Sequence, residues 1–132
     1  MTKGQPVTDL RRLAFIFTMS EMNPLESIKE ILANYGRHGW CLKRLLLTPE
    51  TRAGLAESGG EIFEGAVVEE SAINALWFAR RSHAGREAWE LRLVAETPYA
   101  LFETFEEDEG EEDREEVRRE MEARLREYAT RS

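Results

Sequence analysis

A chain of 132 residues that is 42% hydrophobic and 33% charged is sized for one domain, and it is apolar enough to fold rather than stay disordered. A net charge of −8 argues against nucleic acid, because a phosphate-binding surface needs clustered Lys and Arg to displace counterions. The single cysteine, Cys41, allows no disulfide within these residues and fits a reducing compartment. The longest apolar run, Leu13-Ala14-Phe15-Ile16-Phe17, is far too short to span a bilayer. The first residues lack the charged-then-apolar pattern of a secretory leader, so the expectation is a cytoplasmic protein that engages no membrane.

The charge is segregated. Residues 103–132 hold 13 acidic and 6 basic side chains, a net of −7, whereas residues 1–102 hold 13 and 12. A nearly neutral body thus leads into a strongly acidic segment, 103–116. Such a field attracts basic surfaces and repels polyanions.

In chain order, residues 11–18 are open between a strand and a first helix. Leu10, Leu13, Ala14 and Phe17 follow helical spacing, while Phe15, Ile16 and Thr18 favour a strand. Asn23-Pro24 then opens a helix over 24–36. Asn suits the N-cap and Pro the first helical position, Leu25, Ile28, Ile31, Leu32 and Tyr35 share one face, and Gly36 is placed to end it. Residues 40–47 read as a strand. Thr48-Pro49-Glu50 opens a short helix over 49–57 that Gly59-Gly60 closes. Residues 61–70 are weakly patterned, an edge strand or a loop.

Residues 75–105 read as a three-stranded meander. Strands 75–81 and 87–95 flank the loop Ser82-His83-Ala84-Gly85-Arg86. Pairing straight out from that loop sets Arg81 against Glu87, Ala79 against Trp89, Trp77 against Leu91 and Ala75 against Leu93, with large side chains over small ones and opposite charges matched. A slip of one residue would turn the charges inward. Thr97-Pro98 turns the chain into a third strand, 99–105. Residues 111–130 form a last helix with a narrow apolar stripe of Val117, Met121, Leu125 and Tyr128. Glu115–Arg119, Glu120–Arg124 and Glu122–Arg126 are i,i+4 pairs with Glu first, the better order. The fold class is α+β: an antiparallel sheet, the meander 75–105 plus strand 40–47 and either a strand or a helix at 11–18, packed on helices 24–36 and 111–130 as a single domain. With helices on one face only, Leu76 and Phe78 on the other face join Leu101 or Phe102 in an exposed apolar patch, the kind of surface that marks a contact site or a homodimer interface.

Residues with chemical potential are few. His38 and Cys41 lie three apart across a helix-to-strand junction, which does not assure the contact a nucleophile pair needs. One Cys and two His fall short of a closed zinc site. Gly110 at the glycine position of a calcium loop would put Phe105 at the first ligand position, where no side-chain oxygen exists. Ser82-His83 is a dipeptide rather than a triad, and the phosphate-binding and nucleophile-elbow motifs do not occur. Arg80, Arg81, Arg86 and Arg92 cluster on the hairpin and are expected to pair with Glu87, Glu90 and the acidic segment. No cofactor or metal is expected.

The leading expectation is therefore a non-enzymatic interaction protein: an inhibitor, an antitoxin- or immunity-like partner, or an assembly factor. Glu106, Glu107, Asp108, Glu109, Glu111, Glu112 and Asp113 would approach a basic protein surface, and Leu76 and Phe78 would supply apolar contact to that partner or to a second copy. The alternative is a small-molecule binder or enzyme, with a pocket between the sheet and helix 24–36 lined by Tyr35, Trp40 and Trp89 and with His38, Cys41 or Arg92 as polar groups.

Overall fold

The computed structural model describes residues 23–57 and 65–131. Residues 11–18 and Gly59-Gly60 lie outside them. The elements run α1 (Pro24–Arg37), β1 (Cys41–Leu47), α2 (Pro49–Glu57), β2 (Val67–Glu70), β3 (Ala75–Arg81), β4 (Glu87–Leu93), β5 (Ala100–Phe105) and α3 (Glu111–Thr130). The strands form one mixed sheet in the order β2-β1-β3-β4-β5, packed against three helices as an α+β fold.

Local signals account for most boundaries. The Asn23 side chain caps α1 by accepting a hydrogen bond from the Leu25 N–H at 2.8 Å, and Pro24 follows at the position where a missing N–H costs nothing. The helix runs one residue past Gly36, and the left-handed turn falls instead on Gly39, at φ +85°. The β3–β4 ladder pairs Arg81 with Glu87, Ala79 with Trp89, Trp77 with Leu91 and Ala75 with Leu93, residue for residue as the side-chain sizes require. The weakly patterned stretch supplies β2, an edge strand that pairs parallel to β1 with α2 in the crossover.

The sheet is covered on both faces, which corrects the expectation of a single covered face. Its middle strand β3 is buried at every residue from Ala75 to Ala79, the signature of a strand with apolar neighbours above and below. Ala75, Trp77 and Ala79 join Trp89, Leu91, Phe105, Met121 and Leu125 under α3. Leu76 and Phe78 join Leu25, Ile28, Ile31 and Leu55 under α1 and α2. Leu76 and Phe78 are thus core residues, 0% and 1% exposed, and neither offers a partner or dimer surface. Leu101 packs on the α3 side. Of that expected patch, Phe102 alone is open, at 58%.

Leu125 has no solvent exposure, so Leu125→Ala should lower stability by about 2–5 kcal/mol. Asn23→Ala should cost about 1 kcal/mol through the lost cap. Urea unfolding midpoints read both, and a Leu125→Ala loss no larger than that of Asn23→Ala would contradict the packing described.

Candidate functional site

The acidic segment is built on the way α3 docks. Its apolar stripe is narrow, and charged residues occupy part of the buried face: Arg118 is 1% exposed and Glu122 4%. A buried charge needs partners to offset its desolvation. The Arg118 guanidinium lies 4.4 Å from the ring centre of Trp89 and 5.7 Å from that of Phe105, and it donates to Glu111 and, at 3.0 Å, to Glu115. Glu122 accepts from Trp77 Nε1 at 2.7 Å and from Arg119 at 2.8 Å.

Glu115 joins this network to the sheet. Arg44 of β1 grips it with two donors, at 2.7 and 3.1 Å, and Arg119 reaches it at 2.8 Å while also pairing with Glu69 of β2 at 3.0 Å. Hydrogen bonding from Arg44, reinforced by Arg118 and the nearby charges against a smaller desolvation cost, lowers the Glu115 carboxyl to about 2. The Arg119 guanidinium is shifted upward, chiefly by its bonds to Glu69 and Glu122.

The residues that lead into α3 form an ordered turn rather than an extended connector. The Glu109 N–H donates to the Glu106 carbonyl at 3.2 Å, and the Glu109 carboxylate accepts from the Glu106 N–H at 2.6 Å. Arg114 reaches back from the first turn of α3 to the Glu106 and Glu109 carbonyls and to the Glu87 carboxylate at 3.0 Å. Arg86 of the β3–β4 loop pairs with Glu106 at 2.9 Å. Gly85 closes the contact: a Cβ there would stand 2.5 Å from a Glu107 carboxylate oxygen, and its φ is +75°.

Apart from Glu109, which is half-buried and bonded to the Glu106 N–H, the acidic residues of 103–116 fall into two classes. Glu106, Glu111 and Glu115 are paired with arginines. Among the described residues, Glu103, Glu107, Asp108, Glu112, Asp113 and Glu116 make no ion pair, and all six are exposed. Of the four hairpin arginines only Arg86 engages the acidic segment. Arg80 donates to the His38 carbonyl at 2.6 Å and lies over the Trp40 ring. Glu87, the expected partner of Arg81, is taken by Arg114.

Among the described residues, the alternative pocket under α1 is not assembled. Tyr35 stacks on Phe78 with ring centres 4.1 Å apart, and its hydroxyl donates to Glu90. Burial, and then that bond, push the Tyr35 phenol upward. Trp89 faces α3 on the other side of the sheet, because its register partner Ala79 points there. His38 and Cys41 are exposed. Arg92 is half-buried beside Tyr35 and Glu90, with Nε unpartnered among the described residues. A groove of about 610 Å³ does open elsewhere, between the ends of β1 and β4 and the last turn of α3, lined by Thr48, Asn74, Val94, Tyr128 and Arg131. Its polar groups serve the fold: Asn74 accepts from the Thr48 N–H at 2.9 Å, and Tyr128 stacks on Tyr99 at 3.7 Å. None of the six residues expected in a pocket lines it.

The burial of Arg118 and Glu122 escaped the sequence reading, although the signal was present. Both positions follow the spacing of Met121 and Leu125 on the sheet-facing side of α3. Among the described residues no cluster of three or more His, Cys, Asp or Glu is arranged to hold a metal, and no helix is long and apolar enough to cross a membrane. Comparison with known family models, curated proteins and solved structures finds no match to this chain.

Two expectations follow from the network. Glu115→Ala strands Arg118 with Glu111 as its remaining carboxylate, whereas Arg118→Met keeps a flexible apolar chain on Trp89 and Phe105 and leaves Glu115 with Arg44 and Arg119. Glu115→Ala should be the more destabilising, and the reverse order in thermal melts would refute the account. The Glu115 carboxyl is held below its ordinary 4.5, at about 2, so its contribution is complete above pH 4.5 and disappears as pH falls toward 2. Glu115→Gln should therefore flatten the stability–pH curve in that window, and parallel curves for variant and wild type would show that no such linkage exists.

Proposed function

We propose that this chain is a small, cytoplasmic, non-enzymatic interaction protein whose acidic segment 103–116 approaches a basic surface on a protein partner. The observation that carries the reading is the sorting of carboxylates. Arginines consume the acidic groups that face the fold, while Glu103, Glu107, Asp108, Glu112, Asp113 and Glu116 are held in water without an ion pair among the described residues. Glu112 and Asp113 also stand in the first turn of α3, where the helix dipole favours negative charge. The fold thus maintains a dense negative field without needing a counter-ion there, and such a field raises the encounter rate with a cationic surface. An inhibitor, an immunity-like partner and an assembly factor would all use it in this way.

The test is differential capture. Wild type and an Asp108→Asn/Glu112→Gln/Asp113→Asn variant are immobilised, and bound proteins are quantified at about 0.1 M and 0.5 M salt, where the Debye length falls from ~10 Å to about 4–5 Å. The reading expects a partner with a basic surface that wild type retains at low salt, that is lost at high salt and that the variant captures about tenfold less. Identical capture by the two proteins, or capture indifferent to salt, would overturn it.

A further inference from the structure

Among the described residues the sheet has an open edge directly before the acidic turn, and one bond fixes which of its backbone groups face outward. The Leu93 N–H donates to the Tyr99 carbonyl at 2.9 Å, so these two residues are a hydrogen-bonded pair at the end of the β4–β5 ladder. Such pairs alternate along an antiparallel ladder. Leu91 with Leu101, Trp89 with Glu103 and Glu87 with Phe105 are therefore hydrogen-bonded pairs as well. The N–H and C=O groups of Ala100, Phe102 and Thr104 point the other way, into the space beyond β5, the last strand of the described sheet.

Edge strands are usually protected against further pairing by lysines, prolines, bulges or extreme shortness. Here β5 has six residues, no proline, no lysine and an uninterrupted register. Its one charge is Glu103, exposed on the α3 side. On the α1 side Phe102 is 58% exposed and meets the Trp40 ring edge-on at 6.4 Å. The opposite edge, β2, is shorter, and its Glu69 is already gripped by Arg119.

Charge decides the occupant. Pairing β5 antiparallel with its copy about a two-fold axis would set the two acidic turns at opposite ends of the seam and give Glu103 no cation to face, and it would join two segments of net charge −7 each, whose mutual repulsion opposes association. An added strand carrying Lys or Arg meets Glu103 and the turn carboxylates with opposite sign.

We propose that β5 is a strand-addition site for an extended, Lys/Arg-rich segment of a partner protein, which bonds to the outward backbone of Ala100, Phe102 and Thr104 and rests an apolar side chain on Phe102 beside Trp40. The proposal deepens the reading of this chain as a module for a basic partner and rests on it, adding where that partner lies and through which groups it is held. Backbone bonds would supply holding and the acidic turn attraction, so salt would act mainly on the rate of encounter.

The probe is the capped peptide Lys-Val-Lys-Val-Lys-Val, titrated into the full chain at about 50 mM salt with amide hydrogen exchange followed by NMR. On saturation, the Ala100, Phe102 and Thr104 amides should exchange about tenfold more slowly, while Leu101 and Glu103, already bonded to β4, should not change. Thr104→Pro removes an outward N–H without touching the β4 ladder, a substitution edge strands tolerate; it should keep the melting temperature and weaken the peptide about tenfold. If Thr104→Pro fails to fold, the exchange pattern of wild type alone decides. Peptide binding with all three amides at their free rates would overturn strand addition and leave the charge reading standing. Absence of peptide binding, or protection of the three amides in the free protein, would also overturn it, whether that protection appears in dilute monomer or grows with concentration alongside a dimer in light scattering. Failure of the charge reading itself shows separately, as equal capture by wild type and the neutralised variant.

Discussion

The structure depends on one constraint: the Arg118 guanidinium, 1% exposed, has to be matched where it sits. Taking a guanidinium out of water is affordable only with aromatic faces and carboxylates around it. Trp89 and Phe105 supply the faces, and Glu111 and Glu115 supply the oxygens. Those contacts fix the rotation of α3 about its axis. Once Arg118 points at the sheet, Glu122 one turn later must also point inward, and it does so with its own partners in Trp77 and Arg119. Glu112 and Glu116 are then turned toward solvent. The outward acidic surface is thus a consequence of the inward one.

The same contacts explain how a helix with so few apolar residues stays attached. Met121 and Leu125 are fully packed, with Val117 and Ala129 beside them, a thin stripe for a helix of 20 residues. Ion pairs to Arg44 of β1 and Glu69 of β2 extend the attachment across the sheet. Exposed ion pairs contribute little one by one. This group shares members, is partly shielded from water and is anchored by the Trp77 indole N–H and by the Trp89 and Phe105 rings, so its strength is collective. On the other face attachment is ordinary: Leu25, Ile28 and Ile31 bury apolar surface against Leu45, Leu76 and Phe78.

What was legible in the chain was local or was set by matched side-chain sizes. Asn23-Pro24 marked α1, and the pairing of Trp89 over Ala79 fixed the hairpin register because any slip exposes an indole. The apolar stripe marked α3, at about 111–130. What was not legible depended on partners distant in sequence. The parallel pairing of β2 with β1 has no turn chemistry to announce it. The Leu76/Phe78 face looked open because nothing in those residues says that α1 and α2 lie on the side opposite α3. The pocket alternative met the same obstacle, since it placed Tyr35 and Trp89 together, whereas strand alternation turns Trp89 to the α3 face and Tyr35 packs with α1 on the other. The burial of Arg118 and Glu122 is not announced by residue type, because charge usually means exposure. Their spacing from Met121 and Leu125 pointed the other way.

The charge imbalance is therefore best understood as an excess that remains after internal demand has been met. Were the acidic residues present only to hold α3, the carboxylates touching Arg44, Arg114, Arg118 and Arg119 would suffice. The first turn of the helix would favour one or two more. Instead the chain places Glu103 on the open strand, follows it with four consecutive acids from Glu106 to Glu109, and adds three more at the helix start. Their mutual repulsion weakens the turn they occupy, and Arg86 and Arg114 hold that turn from the side facing the fold. Two arginines are thus used to keep a self-repelling group in a fixed place rather than to neutralise it. Joining β5 to α3 does not by itself call for a run of acidic side chains. Under the reading proposed above, an ordered array of like charges beside a backbone edge that is unpaired among the described residues would offer a basic strand both attraction and a register.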